Sequence, residues 1–377
     1  MPEEDDIKVG LALSGGGFRA TLFHLGVIWR LNEIGWLRRI DMITSVSGGA
    51  IINGMLAARW NSLNWQNIPG VGECATNLAA EVASPIRAFC QRTIDVSSVV
   101  IGFLSPFSTI ADQVADAYDR HLYGGATLQS LPAHDPGRVP RFLFYATNLQ
   151  TGSSVRIEQK RFADYKLGEI PNPDLKLARV VGASSAFPPV LSPVYFDFEP
   201  GSWQALPGAY LHSNQSYLRR IILTDGGVYD NLGLEAIWDR AETVFVSDAS
   251  APFDFDENPG ADAASQLGRA NAIMMEQTRA LRRREIVDRF DRSEKKGAFW
   301  GISTKIGAYG VPNPLAQDTP LTESLKLIRT RLNRFSDDEQ GHLINWGYAL
   351  ADTAVRKYLG VPPAVTAGAW PDPRFPL

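Results

Sequence analysis

Three short glycine-bearing segments hold residue types suited to acyl-transfer chemistry. The first is Ser45-Val46-Ser47-Gly48-Gly49, where the apolar run Met42–Val46 gives way to the helical pattern Ile51–Ala58. A sharp strand-to-helix turn lifts a serine hydroxyl clear of the backbone, and the residues two before and two after it must be small. Here they are Ser45 and Gly49, so serine stands where glycine is usual. A serine before a helix is also a common N-cap, and this segment alone leaves both readings open.

The second segment, Ser14-Gly15-Gly16-Gly17-Phe18-Arg19, lies between the apolar run Val9–Leu13 and another helical pattern. Glycines allow the main chain to turn its N–H groups toward an anion. Gly15, Gly16 and Gly17 are therefore expected to donate to the oxyanion of a tetrahedral intermediate. The same letters fit the dinucleotide pattern G-x-G-x-x-[G/A], which also requires an acidic residue ending the second strand. Asp41 precedes that strand, whose end carries Ser47-Gly48-Gly49, so cofactor binding is disfavoured. No Lys-Ser or Lys-Thr follows the glycines, which excludes a P-loop. Arg19 is read either as positioning the loop or meeting a phosphate, or as an ordinary surface residue.

The third segment, Asp225-Gly226-Gly227, ends the apolar run Ile221–Thr224. A carboxylate within hydrogen-bond reach can orient and deprotonate a serine without a histidine. Alone, Asp-Gly-Gly reads more readily as a turn. Of the five histidines, His24 falls on the apolar face of the first helix with Ala20, Ile28 and Leu31. His121, His134 and His212 lie in loop-like stretches and His342 in a late helix, so a Ser–His–Asp triad is disfavoured.

Strand, helix, strand, helix within the first 60 residues predicts a parallel sheet covered by helices. Phe142–Ala146 and Ser154–Ile157 flank Gln150-Thr151-Gly152, a hairpin turn, and Thr243–Val246 reads as one more core strand. A helical segment is expected from about Leu232, and a charged helix with a solvated face over residues 270–296. Residues 61–140 are less regular. Cys74 and Cys90 are expected in a helical region as reduced buried thiols, without metal-ligand spacing. One catalytic domain is expected over residues 7–360, followed by an extended Pro-rich tail over 361–377.

A net charge of −4 with interspersed signs gives no electrostatic reason to expect nucleic acid as a partner. The acidic start, Met1 to Asp6, lacks the form of a secretory signal, and no apolar run reaches membrane-spanning length, so a cytoplasmic protein is expected. Peripheral membrane contact stays open. The apolar stretch Val99–Phe107 is read either as pocket lining or membrane contact, or as core.

In this order the three segments, with His24, Gly26, Ala183–Pro189 and Asn231, resemble the patatin-like phospholipase family. The resemblance covers residues 7–250 well. It implies a three-layer α/β/α fold with a central, mostly parallel sheet. It also implies a Ser47–Asp225 dyad, an oxyanion hole at Gly15–Gly17 to which Phe18 adds its N–H, and neither metal nor cofactor. Asn231 enters as a residue that positions substrate or loop. The implied reaction is hydrolysis of phospholipid, lysophospholipid or related acyl esters through an acyl-enzyme. Acyl transfer to an alcohol or lysolipid by the same dyad is the nearest alternative, and non-catalytic lipid or nucleotide binding the next. The departures at Ser45, Asp230 and Leu232-Gly233 bear on specificity more than on chemistry.

Overall fold

Val9–Leu13 (β1) is buried along its whole length, as expected of a strand covered on both faces by helices. The computed structural model describes residues 7–94, 110–360 and 368–377. The apolar stretch Val99–Phe107 lies outside them. Gly17–Glu33 (α1) follows the first glycine turn, and Gly35, at φ 72°, lets the chain leave that helix. Met42–Ser45 (β2) and Gly48–Arg59 (α2) complete the first repeat of strand and helix.

The next stretch is irregular. A small separate hairpin, Trp65–Ile68 (β3) and Gly72–Ala75 (β4), precedes the helices Ser84–Cys90 (α3) and Ile110–Tyr118 (α4). Cys90 ends α3, but Cys74 belongs to β4 and not to a helix, because the turn at Gly70 and Gly72, both at positive φ, folds this stretch back on itself. Both thiols are free and buried.

Arg141–Asn148 (β5) and Ser153–Glu158 (β6) form the expected hairpin, with Gly152 at φ 66° in its turn. Arg161–Asp164 (β7) and Gly168–Pro171 (β8) extend it antiparallel. Then come Leu177–Ser184 (α5), Val194–Asp197 (β9), Gln215–Arg219 (α6), Arg220–Asp225 (β10) and Gly227–Asp230 (α7). No helix begins at Leu232. The Asp230 carboxylate instead accepts from Leu232 and Leu234 N–H, and Gly233 at φ 69° bends the chain into turns.

Thr243–Asp248 (β11) is the expected core strand. The charged helix, Ala263–Asp291 (α8), starts earlier than its charge pattern suggests because the Asp262 side chain caps it at Ser265 N–H. Lys296–Gly301 (β12), Pro320–Ser324 (α9) and Asp337–Tyr358 (α10) complete the order. The end of the Pro-rich segment is packed and not free: Asn345 of α10 donates to the carbonyls of Asp372 and Phe375, and Asp372 is buried.

Among the described residues the large sheet has ten strands. Five of them, in the order β12-β11-β1-β2-β5, run parallel. Helices α1, α2 and α10 cover one face over the larger apolar core. The turns after Leu232 and the C-terminal part of α8 cover the other, over a core that includes Val46, Tyr145 and Ile286. This is the expected three-layer α/β/α arrangement. Helices α1 and α10 cross at glycines. A Cβ on Gly26 would lie 1.8 Å from the Ile344 carbonyl oxygen, and one on Gly347 2.0 Å from that of Phe23.

Strand β5 accounts for where the candidate residues meet. Its edge facing β2 pairs with β2 over residues 141–144 and with β10 over 146–148, since β6 occupies the other edge. Because β2 is parallel to β5 and β10 antiparallel, their C-terminal ends point at each other along one edge. Ser45 pairs with Phe144 and Asp225 with Ala146, only two β5 residues apart.

Candidate active site

Ser47 has φ 52° and ψ −116°, a conformation a non-glycine residue seldom adopts. Such strain costs about 1–3 kcal/mol and survives only where the surroundings impose it. They do so by packing the two turns against each other. A Cβ on Gly48 would sit 2.1 Å from the Gly17 carbonyl oxygen, and one on Gly49 2.4 Å from that of Leu13. Ser47 precedes α2, yet its side chain makes no cap hydrogen bond, so the N-cap reading falls.

Asp225 approaches head-on and not from a parallel neighbour. The turns after β1 and β2 open side by side on one edge of the parallel part of the sheet. The antiparallel β10 brings the Asp225 turn in from the opposite direction.

The segment Ser184–Ala186 braces both residues. Ser47 N–H donates to Ser184 Oγ at 3.0 Å, Gly226 N–H to the Ser184 carbonyl at 3.2 Å, and Asp225 N–H to the Ala186 carbonyl at 3.0 Å. Asp225 Oδ1 accepts from Gly227 N–H at 2.7 Å. Its Oδ2 is buried with no hydrogen-bond partner among the described residues. Burial pushes the carboxyl up to about 7, against the downward pull of Gly227 N–H and the nearby Ser47 hydroxyl. Ser47 is thus near enough to act on Asp225 without completing a hydrogen bond to Oδ2.

The N–H groups of the glycine turn divide into committed and open ones. Gly15 N–H donates to the Asn231 carbonyl at 3.1 Å and Phe18 N–H to that of Arg331 at 3.2 Å. These two, expected in the oxyanion hole, are spent on structure. Gly16 and Gly17 N–H have no partner among the described residues, and neither has Gly48 N–H. Gly48 was missed in the sequence, although the residue after a nucleophile on such a turn is a known type of donor.

Arg19 is neither a surface residue nor open to a phosphate. It is 1% exposed. Its guanidinium donates to the carbonyls of Lys326 and Ile328 at 2.8 Å each and of Ala249 at 2.7 Å. It therefore holds the segment 326–331 over the start of α1, a contact no local pattern announces. Asn231 is a strut: its amide donates to Ser250 Oγ at 2.7 Å, and Gly15 and Gly227 leave room for its Oδ1.

His24 is fully buried, with Nε2 3.0 Å from the Ser14 carbonyl and Nδ1 2.8 Å from Ser247 Oγ. Burial lowers it to about 4, so it is a neutral core residue that braces the end of β1. His134 and His212 bond to the backbone carbonyls of Val139 and Leu167. Among the described residues no histidine hydrogen-bonds to Ser47 or Asp225. Nor, among the described residues, does any group of three or more His, Cys, Asp or Glu gather as metal ligands, and no helix among them is long and apolar enough to cross a membrane.

The patatin-like phospholipase family profile matches residues 11–65 and 108–238, which contain both Ser47 and Asp225. Among solved structures, human GIVD cytosolic phospholipase A2 is similar at 12% identity and a TM-score of 0.51, over 94% of this chain and 62% of that one. The same human enzyme with methyl γ-linolenyl fluorophosphonate and terbium chloride is similar at 13% identity and 0.51, over 95% and 59%. The chain thus spans less than two thirds of the length of these proteins, and at such identity the likeness is one of fold. No curated protein sequence matches it. By the match to its profile, together with the order of its three glycine turns, the chain belongs to the patatin-like phospholipase family.

Proposed function

We propose that this protein is a serine acyl hydrolase acting on carboxylic esters of lipids, with Ser47 as nucleophile and Asp225 as its base. The observation that carries this reading is the pairing of a strained, uncapped serine with a buried carboxylate oxygen that has no other partner. A carboxyl near 7 is ionised in a useful fraction at neutral pH and is basic enough to take the hydroxyl proton.

Ser47 Oγ attacks the ester carbonyl as its proton passes to Asp225. The open N–H groups of Gly16, Gly17 and Gly48 face the developing oxyanion, each worth about 2.7–4 kcal/mol by analogy with other oxyanion holes. The tetrahedral intermediate collapses to an acyl-enzyme as Asp225 returns the proton to the departing alcohol. Water, deprotonated by Asp225, then attacks the acyl carbon, and the proton goes back to Ser47 as the fatty acid leaves.

The lipid substrate follows from family membership. The test uses short p-nitrophenyl esters and methyl γ-linolenyl fluorophosphonate, the reagent seen with the human fold neighbour. Wild type should hydrolyse the esters and be labelled at Ser47, and Ser47→Ala and Asp225→Asn should do neither while staying folded. Near-native hydrolysis by Ser47→Ala would falsify the assignment.

A further inference from the structure

A cavity of about 540 Å³ opens on the far face of the sheet, between strands β6 and β7 and helix α8. Its walls are aromatic and apolar at Tyr165, Tyr229, Trp238 and Leu234, and three arginines line it: Arg156, Arg161 and Arg282. Its size is that of small-molecule sites, in which a few convergent polar groups fix a largely apolar ligand.

The charges in it are mostly accounted for. Arg161 pairs with Glu158 at 3.0 Å, Arg282 with Asp230 at 2.6 Å, and Glu285 with Arg289 at 3.0 Å. Glu235 is hydrogen-bonded to the Tyr229 hydroxyl, and Asp239 lies at the exposed rim, facing the Lys295 ammonium. Arg156 is different. It is half-buried on β6 and has no hydrogen bond or ion pair among the described residues. Ser154, two residues before it on the same strand face, has a hydroxyl that is likewise uncommitted. The cavity therefore offers an open guanidinium fork and a hydroxyl donor, with a second guanidinium on the opposite wall held by a single carboxylate.

We infer that this cavity is a phosphate-binding site, in which Arg156 and Ser154 hold the phosphate, with Tyr229, Trp238 and Leu234 beside it as an apolar wall for any organic part of its carrier. A guanidinium fork matches the oxygens of a phosphate with two parallel hydrogen bonds. The site adjoins the catalytic turn without being part of it. Asp230, which holds Arg282, also caps the turn at Leu232 and Leu234, and Asn231 in that turn accepts from Gly15 N–H.

The phosphate can belong to a lipid head group or to a free ion, and titration calorimetry on the full chain separates them. One arm uses sn-glycero-3-phosphocholine, the soluble head group of a phospholipid, and the other inorganic phosphate. Binding of either to wild type, weakened about tenfold or more in Arg156→Ala and restored in part by Arg156→Lys, supports the site and names the source. Circular dichroism establishes that the variants are folded. If neither probe binds wild type, or if Arg156→Ala binds as tightly, the inference fails. Calorimetry needs no ester hydrolysis, so this outcome is independent of whether Ser47 proves to be a nucleophile.

Discussion

Replacing Asp225 by asparagine should abolish activity and stabilise the protein, and the stabilisation should depend on pH. The folded-state carboxyl sits near 7 against an ordinary 3.8, chiefly because burial disfavours its charged form. Its folded pKa is raised, so the native state binds more protons than the unfolded chain between those two values. Stability therefore falls as pH rises through that window and levels off above about 7. Three units correspond to about 4 kcal/mol lost in full at about pH 8, of which somewhat more than a third is already lost at about pH 5. Asparagine keeps the acceptor for Gly227 N–H and carries no charge, but it puts an NH₂ group where Oδ2 has no partner. That costs about 1–3 kcal/mol at every pH and cancels from the comparison. The advantage of Asp225→Asn over wild type should thus grow by about 2–3 kcal/mol between about pH 5 and pH 8. Guanidinium denaturation of both proteins at the two pH values measures it. A difference that stays flat with pH would mean that Asp225 is not held neutral by burial, and the base assignment would lose its electrostatic support.

Wild-type hydrolysis of a short ester should show an acidic limb with an apparent pKa near 7, falling about tenfold per pH unit below it, because the base must be ionised; stopped assays across the range test this. Ser184→Ala removes the acceptor for Ser47 N–H and should lower kcat by about 10–100-fold with KM little changed. Gly48→Ala puts a methyl group 2.1 Å from the Gly17 carbonyl oxygen and should eliminate activity, whereas Gly268→Ala, in the open interior of α8, should stabilise the protein by about 0.5–1 kcal/mol and leave kcat alone. Asp352→Ala removes the fully buried carboxylate that Arg30 meets at 2.6 Å while leaving Arg30 its pairing with Glu33 at 3.0 Å, so in denaturant unfolding it should destabilise by less than the about 3–5 kcal/mol of a wholly uncompensated buried charge.

The parts of the site that are local in sequence were legible there. Ser47 and the three glycines announce themselves because a strand, a tight turn and a helix leave period-2 and period-3.6 patterns on either side of small residues. The hairpin at Gln150–Gly152 and the strand at Thr243 were readable for the same reason. What the sequence hid is what depends on distant pairing. Nothing local to Ile221–Asp225 says that β10 runs antiparallel along the edge β2 also uses, and that pairing decides the direction from which Asp225 arrives. Arg19 leaves a loop-positioning role and a surface position equally open in the sequence, because two of the carbonyls it serves lie about 300 residues downstream. The same distance hid the use of Phe18 N–H, since its acceptor, Arg331, belongs to that segment. Cys74 was misplaced because Gly70 and Gly72 look like breaks in a helix as readily as the turn of a hairpin.

These long-range contacts give the Ser47 and Asp225 arrangement its cost and its support together. A strained serine and a buried, unpaired carboxylate oxygen each destabilise the native state, and neither would persist at the end of an unbraced loop. The bracing comes from elements that do no chemistry. Ser184 ties the two residues to one turn, Arg19 fastens the segment 326–331 over the glycines, and α10 locks α1 where Gly26 and Gly347 let the backbones touch. If that division of labour is right, loosening Arg19 should lower kcat far more than it weakens binding of a short ester, because the damage falls on the geometry of Gly16 and Gly17 and not on the substrate pocket. An Arg19→Lys variant with unchanged kcat would show that the glycine turn holds its shape without the clamp.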